Sequence, residues 1–249
     1  MNLAYLEIDY HRSAYDSMPE QLRAAFMDRL VISWLYHEHA LEGVVLEEED
    51  IWRALNNQPC RSYCDRQIHK QIRRMYALFH QILEEAGSQE PITLEWLKDT
   101  HTALCDASDE AAGRYRKRDT SPGVYNLDVV PSNSISYYFR KFIDIYNEEL
   151  IGSHPVRAAA IAHWEFMKVF PFDERTGLVG RLMLNAILIR NDYPPAIIHA
   201  NDRHTYFAAL SGHRTDVIPT VVEAVSATIE AVETFSHRFN ATISHRVAL

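Results

Sequence analysis

The 249 residues are 47% hydrophobic and 11% aromatic, which supplies one large core and excludes a disordered chain. A formal net charge of −9 gives no overall electrostatic case for nucleic acid. Three cysteines are an odd count for a disulfide framework, no apolar run reaches membrane-span length, and residues 1–12 lack a signal-peptide core, so the expected location is cytoplasmic with no membrane contact.

In chain order, Ser17-Met18-Pro19-Glu20 reads as a capping box with proline just inside a helix. Leu22, Phe26, Leu30 and Trp34 then mark one face of that helix to about Leu41, and Gly43 ends it. A short acidic helix is expected from about Glu48, and a long amphipathic one over 62–86, with Ile68, Ile72, Met75, Leu78, Phe79 and Ile82 inward. Cys60, Cys64 and His69 fit no common zinc spacing, so these thiols are expected to be buried or indifferent. Residues 87–91 break the helix and 93–106 form the next.

Residues 113–130 differ, with Ser121-Pro122-Gly123, Asn126 and Asp128 set among Tyr115, Val124, Tyr125, Val129 and Val130. That pattern predicts a β-hairpin turning near Pro122, with Arg114, Arg116, Lys117 and Arg118 ahead of the turn. Helices are predicted over 134–150, 155–169 and 174–190, a turn at Tyr193-Pro194-Pro195, and helices over 202–211 and 219–240. The last is apolar-periodic with no basic recognition helix, which argues against a DNA-binding regulator. It is expected to pack within the domain, with homodimer formation as the alternative. The sum is one all-α domain over 1–249 with a single β-hairpin.

The most specific stretch is Phe170-Pro171-Phe172-Asp173-Glu174-Arg175-Thr176-Gly177-Leu178-Val179-Gly180-Arg181. It resembles the signature of Fic-domain (Fido) nucleotidyltransferases, His-Pro-Phe-x-(Asp/Glu)-Gly-Asn-Gly-Arg-x-x-Arg. Pro171, Phe172, Glu174, Gly177 and Arg181 match. Phe170 stands at the family histidine, Arg175 and Thr176 replace Gly-Asn, and Leu178 replaces the first arginine. Tyr36 to Gly43 resembles the family's Ser/Thr-x-x-x-Glu-Gly inhibitory segment, with Glu42 as its glutamate and Glu38 at the Ser/Thr position. Ala112 to Arg116, His154 to Arg157, His163 to Phe166, Gly180 to Asn185 and Tyr193 to Pro195 resemble the segments around the motif.

The resemblance implies a Fic-like helical bundle with a β-hairpin flap at 113–130, inhibitory-type helices over 1–60, and a core with a C-terminal helix over 61–249. It implies that Arg175, Thr176, Gly177 and Arg181 are the candidates for phosphate or nucleotide, that Glu174 is the candidate magnesium ligand, and that Glu42 pairs with Arg181. An active member binds a nucleoside triphosphate and magnesium at this loop, and its histidine takes a proton from a target hydroxyl. Phe170 has no lone pair for that task. The expected function is therefore a catalytically degenerate Fic-fold protein that binds a protein partner, through the flap, or a nucleotide. The alternative is a nucleotidyl- or phosphoryl-transfer enzyme with altered residues, such as a protein adenylyltransferase. Read without the resemblance, Phe170 is a core aromatic, Glu174 a helix-start carboxylate, Arg175 a salt-bridged side chain and His163 a hydrogen-bonded core histidine.

Overall fold

The computed structural model describes residues 3–60 and 62–247. In order the helices are α1 (Leu3–Asp16), α2 (Glu20–Leu41), α3 (Glu48–Leu55), α4 (Tyr63–Glu84), α5 (Leu94–Leu104), α6 (Ile135–Ile145), α7 (Pro155–Val169), α8 (Thr176–Arg190), α9 (Arg203–Ser211) and α10 (Val217–Val247). Short 3-10 turns precede α6 and α9, and a π turn, Tyr146–Leu150, follows α6.

Helix α8 is the axis of the molecule. Every residue from Thr176 to Arg190 is buried, as expected of a helix that is apolar all round. Helix α7 packs along it, and α4 and α5 also contact it. Gly180 is what permits the close approach of α7: a methyl group there would stand 3.0 Å from His163 Nδ1 and 3.1 Å from the Phe166 ring. Helix α10 covers α7, and α1 lies on α10. Helix α1 falls within the 1–60 helical region that the resemblance implies but has no periodic signal of its own, since only Tyr5 and Ile8 of it are buried.

Helix α2 ends where the sequence predicts. Gly43, at φ +86°, follows the last turn; its N–H reaches the carbonyl of Ala40 (3.1 Å) and that of Val44 reaches His39 (2.8 Å). This pair of bonds is the Schellman arrangement, which glycine's freedom at positive φ permits. Its start differs from expectation. Pro19 is the N-cap without a side-chain cap, and the Ser17 hydroxyl turns back to the Ala14 carbonyl at the end of α1.

The predicted β-hairpin flap is absent: among the described residues no strand occurs, and 113–130 is an irregular arm. Its backbone groups find partners elsewhere. The N–H of Arg116 binds the Pro171 carbonyl (2.8 Å) and that of Val130 binds Lys168 (3.1 Å). The buried Arg116 guanidinium donates to the carbonyls of Phe170 (2.8 Å), Arg118 (2.9 Å) and Val130. Both limbs of the arm are thus tied to one side chain and to the end of α7 or the loop that follows it, leaving no ladder between them. At the tip, the N–H groups of Tyr125 and Asn126 both reach Pro122 (2.9 and 3.0 Å), with Asn126 at φ 50°. This fold of the tip buries Tyr125 and Leu127.

Candidate functional site around Arg181

The loop 170–175 joins α7 to α8 between two left-handed residues, Phe170 (φ 44°) and Arg175 (φ 60°). Such backbone is strained for bulky side chains and persists only when its surroundings over-determine it. The arm does this through the two Arg116 bonds to Phe170 and Pro171. Inside the loop, the Thr176 hydroxyl accepts from the Phe172 N–H (3.1 Å) and donates to its carbonyl (3.0 Å). His101 stacks on Phe172 at 4.0 Å, and its Nδ1 accepts from the Gly113 N–H (3.0 Å). That leaves Nε2–H to donate to the Glu174 carbonyl (3.2 Å), which fixes the neutral tautomer. Burial lowers the His101 pKa, in keeping with a neutral ring.

One turn into α8, the Arg181 guanidinium is 2% exposed and fully committed. Its Nε faces both oxygens of Glu38 at 2.8 and 3.0 Å, and Nη2 binds Glu42 at 2.7 Å. Nη1 reaches the hydroxyls of Tyr125 (3.1 Å) and Tyr206 (3.4 Å). The Tyr125 hydroxyl donates to Glu42, and the Tyr206 hydroxyl lies 2.7 Å from His163 Nε2. One cation therefore joins α2, the arm, α9 and, through Tyr206, α7. Glu38 and Glu42 are four residues apart, one turn of α2, so both face the same way. The Schellman end at Gly43 sets where the second one stops.

This arrangement closes the N-terminus of α8. A methyl group on Gly177 would collide with the Tyr125 hydroxyl and lie 2.9 Å from Glu42 Oε1. Free N–H groups and the helix dipole make such an end attractive to anions, and here a carboxylate and a phenol already stand beside it.

Burial is the largest influence on Glu38 and pushes its pKa up to about 7 despite Arg181. For Arg181 burial opposes the charge, but Glu38, Tyr125, Tyr206 and Glu42 more than offset it and hold the guanidinium well above its ordinary range. Burial, then Arg181, pulls His163 down to about 3, so this histidine is neutral and hydrogen-bonded within the core.

Residues 91–188 match the Fic/DOC family. Protein adenylyltransferase Fic of Nematostella vectensis is 30% identical over 153 residues, covering 59% of this chain and 34% of the relative. The Culex quinquefasciatus protein of the same name is 26% identical over 199 residues, covering 76% and 38%. The chain thus spans little more than a third of the length of these curated relatives. A Fic domain containing signaling protein from Bacteroides thetaiotaomicron superposes with a TM-score of 0.78 at 17% identity, covering 93% of this chain and 98% of that one. Fic-1 from C. elegans superposes with a TM-score of 0.78 at 20% identity, covering 96% and 72%. The chain has the Fic fold.

In this Fic fold the residues singled out from the sequence fall into two groups. Thr176, Gly177 and Arg181 gather at the α8 N-terminus with Glu42. Phe170 is buried, its ring 6.1 Å from that of Tyr125, which in turn is 4.8 Å from Phe207. Leu178 is buried in the core. Glu174 turns outward with its side chain 75% exposed, whereas Arg175 is part-buried, its Nη1 3.2 Å from Glu174, 3.8 Å from the buried Cys105 Sγ and 4.0 Å from Asp109. Among the described residues no group of three or more His, Cys, Asp and Glu is arranged for a metal. His199 stacks on His37 at 4.3 Å. Sequence reasoning missed Glu38, Arg116 and His101. Glu38 had a signal, the i,i+4 pair of glutamates on one helix; Arg116 and His101 had none, because their partners are backbone groups, most of them more than ten residues away in the chain.

Proposed function

We propose that this chain is a catalytically degenerate Fic-fold protein that acts by binding and does not transfer nucleotide efficiently. The observation that supports it best is the setting of Phe170. A phenyl ring buried beside Tyr125 stands where the resemblance places a proton acceptor, and loss of a positioned base costs on the order of 10² to 10⁴ in rate. A second support is the occupied end of α8. A triphosphate there requires both Tyr125 and Glu42 to move, and the first phosphate arginine is replaced by the buried Leu178. The proposed ligand is a protein partner, met across the arm 113–130 with its exposed Arg114, Lys117 and Arg118. A magnesium nucleotide is the other candidate, and it demands an opened arm.

The test is transfer of labelled nucleotide to the protein itself or to lysate proteins, beside calorimetry with ATP, GTP, UTP and CTP in magnesium. Absence of label above background is expected. Label that Glu174→Ala abolishes overturns the reading.

One observation favours the alternative, an enzyme with altered chemistry. Glu174 keeps an exposed carboxylate just before α8, open to a metal ion, and the named relatives are adenylyltransferases. Magnesium-dependent nucleotide binding lost in Glu174→Ala would support it.

A further inference from the structure

Away from Arg181, a thiol and an imidazole meet between α3 and α4. Cys60 lies two residues before Ser62, the N-cap of α4, whose hydroxyl accepts from the Asp65 N–H at 3.1 Å. Cys60 Sγ is 3.3 Å from His69 Nδ1. His69 is almost wholly buried and Cys60 half-buried. Both line a cavity of about 270 Å³ with Asp50 and Arg53 of α3, Asp65 and Ile68 of α4, and Val45 and Leu46. Arg53 is held by Glu49 (2.9 Å), and Asp50 takes the Glu47 N–H (3.0 Å), so neither competes for the sulfur.

We propose that Cys60 is a nucleophilic thiol with His69 as its proton acceptor, in a site for small soft electrophiles. A thiol reacts as the thiolate, and an imidazole within hydrogen-bond reach is the usual means of forming it. His69 is buried on a helix, so its ring is held toward the sulfur. Cys105 also lies near an imidazole, His101 at 3.8 Å, but both nitrogens of that ring are bonded to backbone groups, and the thiol is buried with its pKa raised by that burial; Cys64 is exposed. The cavity holds several times the ~30 Å³ share of one water, enough for a small reagent and too little for a bulky one.

With iodoacetamide, the Cys60 proton passes to His69 Nδ1. The thiolate lone pair forms the S–C bond as the C–I bond breaks, iodide leaves with its electron pair, and the imidazolium returns its proton to solvent. The product is a carboxamidomethyl thioether.

The experiment is time-resolved labelling of the intact protein with iodoacetamide at neutral pH, read by peptide mass spectrometry at all three cysteines. Cys60 is expected to react about tenfold faster than the more exposed Cys64. A rate no greater than that of Cys64 overturns the proposal. His69→Ala and His69→Gln should each bring Cys60 down to the Cys64 rate or below. Buried Cys105 staying unlabelled shows that a variant is folded, and an undiminished Cys60 rate in a folded variant overturns the role of His69. A maleimide carrying a polyethylene glycol chain should reverse the order, labelling Cys64 first; Cys60 still leading would refute the cavity's selectivity.

Discussion

Glu38 meets Arg181 side-on, both carboxylate oxygens within 3.0 Å of Nε. Glu42 meets the same guanidinium at Nη2, with its side chain 34% exposed against 4% for Glu38. The two contacts differ in energy for that reason. Removing a buried partner leaves a desolvated donor with nothing to bind, whereas a half-exposed pair is screened by water. Glu38→Ala is expected to destabilise by about 3 kcal/mol and Glu42→Ala by about 1 kcal/mol. Urea unfolding at pH 8 checks this, and equal losses would show that Glu38 is no more than a second surface partner.

The raised Glu38 pKa sets a pH dependence. Its folded value, about 7, lies above the ordinary 4.5, so the native state holds a proton that the unfolded chain releases. The associated stability is fully present below about pH 4.5 and is lost as pH rises through about 7, with a slope no steeper than ~1.4 kcal/mol per pH unit. The groups around it act otherwise: Arg181 stays charged and burial raises Tyr125 and Tyr206, while His163 at about 3 and His37 at about 4 are neutral when folded and gain a proton on unfolding below about pH 6.5, which adds stability as pH rises. Judged by unfolding midpoints, from pH 5 to pH 8 the Glu38→Gln variant should gain more stability, or lose less, than the wild type, because only the opposing Glu38 contribution has been removed. The same difference in both proteins would assign the titration elsewhere.

Arg116 replaces the expected hairpin with a tether. Its three carbonyl partners lie in the arm and the α7–α8 loop, and its N–H holds Pro171. Arg116→Met fills similar space but orphans those carbonyls, a loss of about 3 kcal/mol. Limited proteolysis should then cut within 113–130 at least about tenfold faster, since opening free energy governs cleavage. An unchanged cleavage rate would mean that Tyr125 and Leu127 alone secure the arm.

What the sequence made legible follows from the range of the forces involved. Helices α2 and α4 declare themselves through local periodicity, and Gly43 through the positive φ that the end of α2 requires. The arm 113–130 misleads because Val124, Tyr125, Val129 and Val130 have strand-like side chains, while the backbone partners that hold its two limbs, Pro171 for Arg116 and Lys168 for Val130, lie far along the chain. Phe170 was legible as a residue without a lone pair, and its left-handed backbone was not. Glu38 shows a different limit. Set against a family position it was a mismatch, yet read as a partner of Glu42 one turn away it marks a face that needs a buried cation.

The geometry also separates the parts that Glu38 and Glu42 play when the chemistry is restored. The triple variant Phe170→His, Arg175→Gly, Leu178→Arg supplies a proton acceptor, relaxes the left-handed position before α8 and returns a phosphate cation. With Glu42 in place, Arg181 Nη2 remains occupied and the α8 end remains closed, so no transfer is expected. Adding Glu42→Ala frees Nη2 while Glu38 still anchors Nε, so Arg181 keeps its aim and an anion can take the place of the carboxylate. Transfer of labelled nucleotide should then rise by roughly 10²-fold or more. Adding Glu38→Ala instead leaves Nη2 bound to Glu42 and should yield none. Activity in the triple variant alone would show that Glu42 is not a brake. Activity on removal of Glu38 but not of Glu42 would exchange their roles.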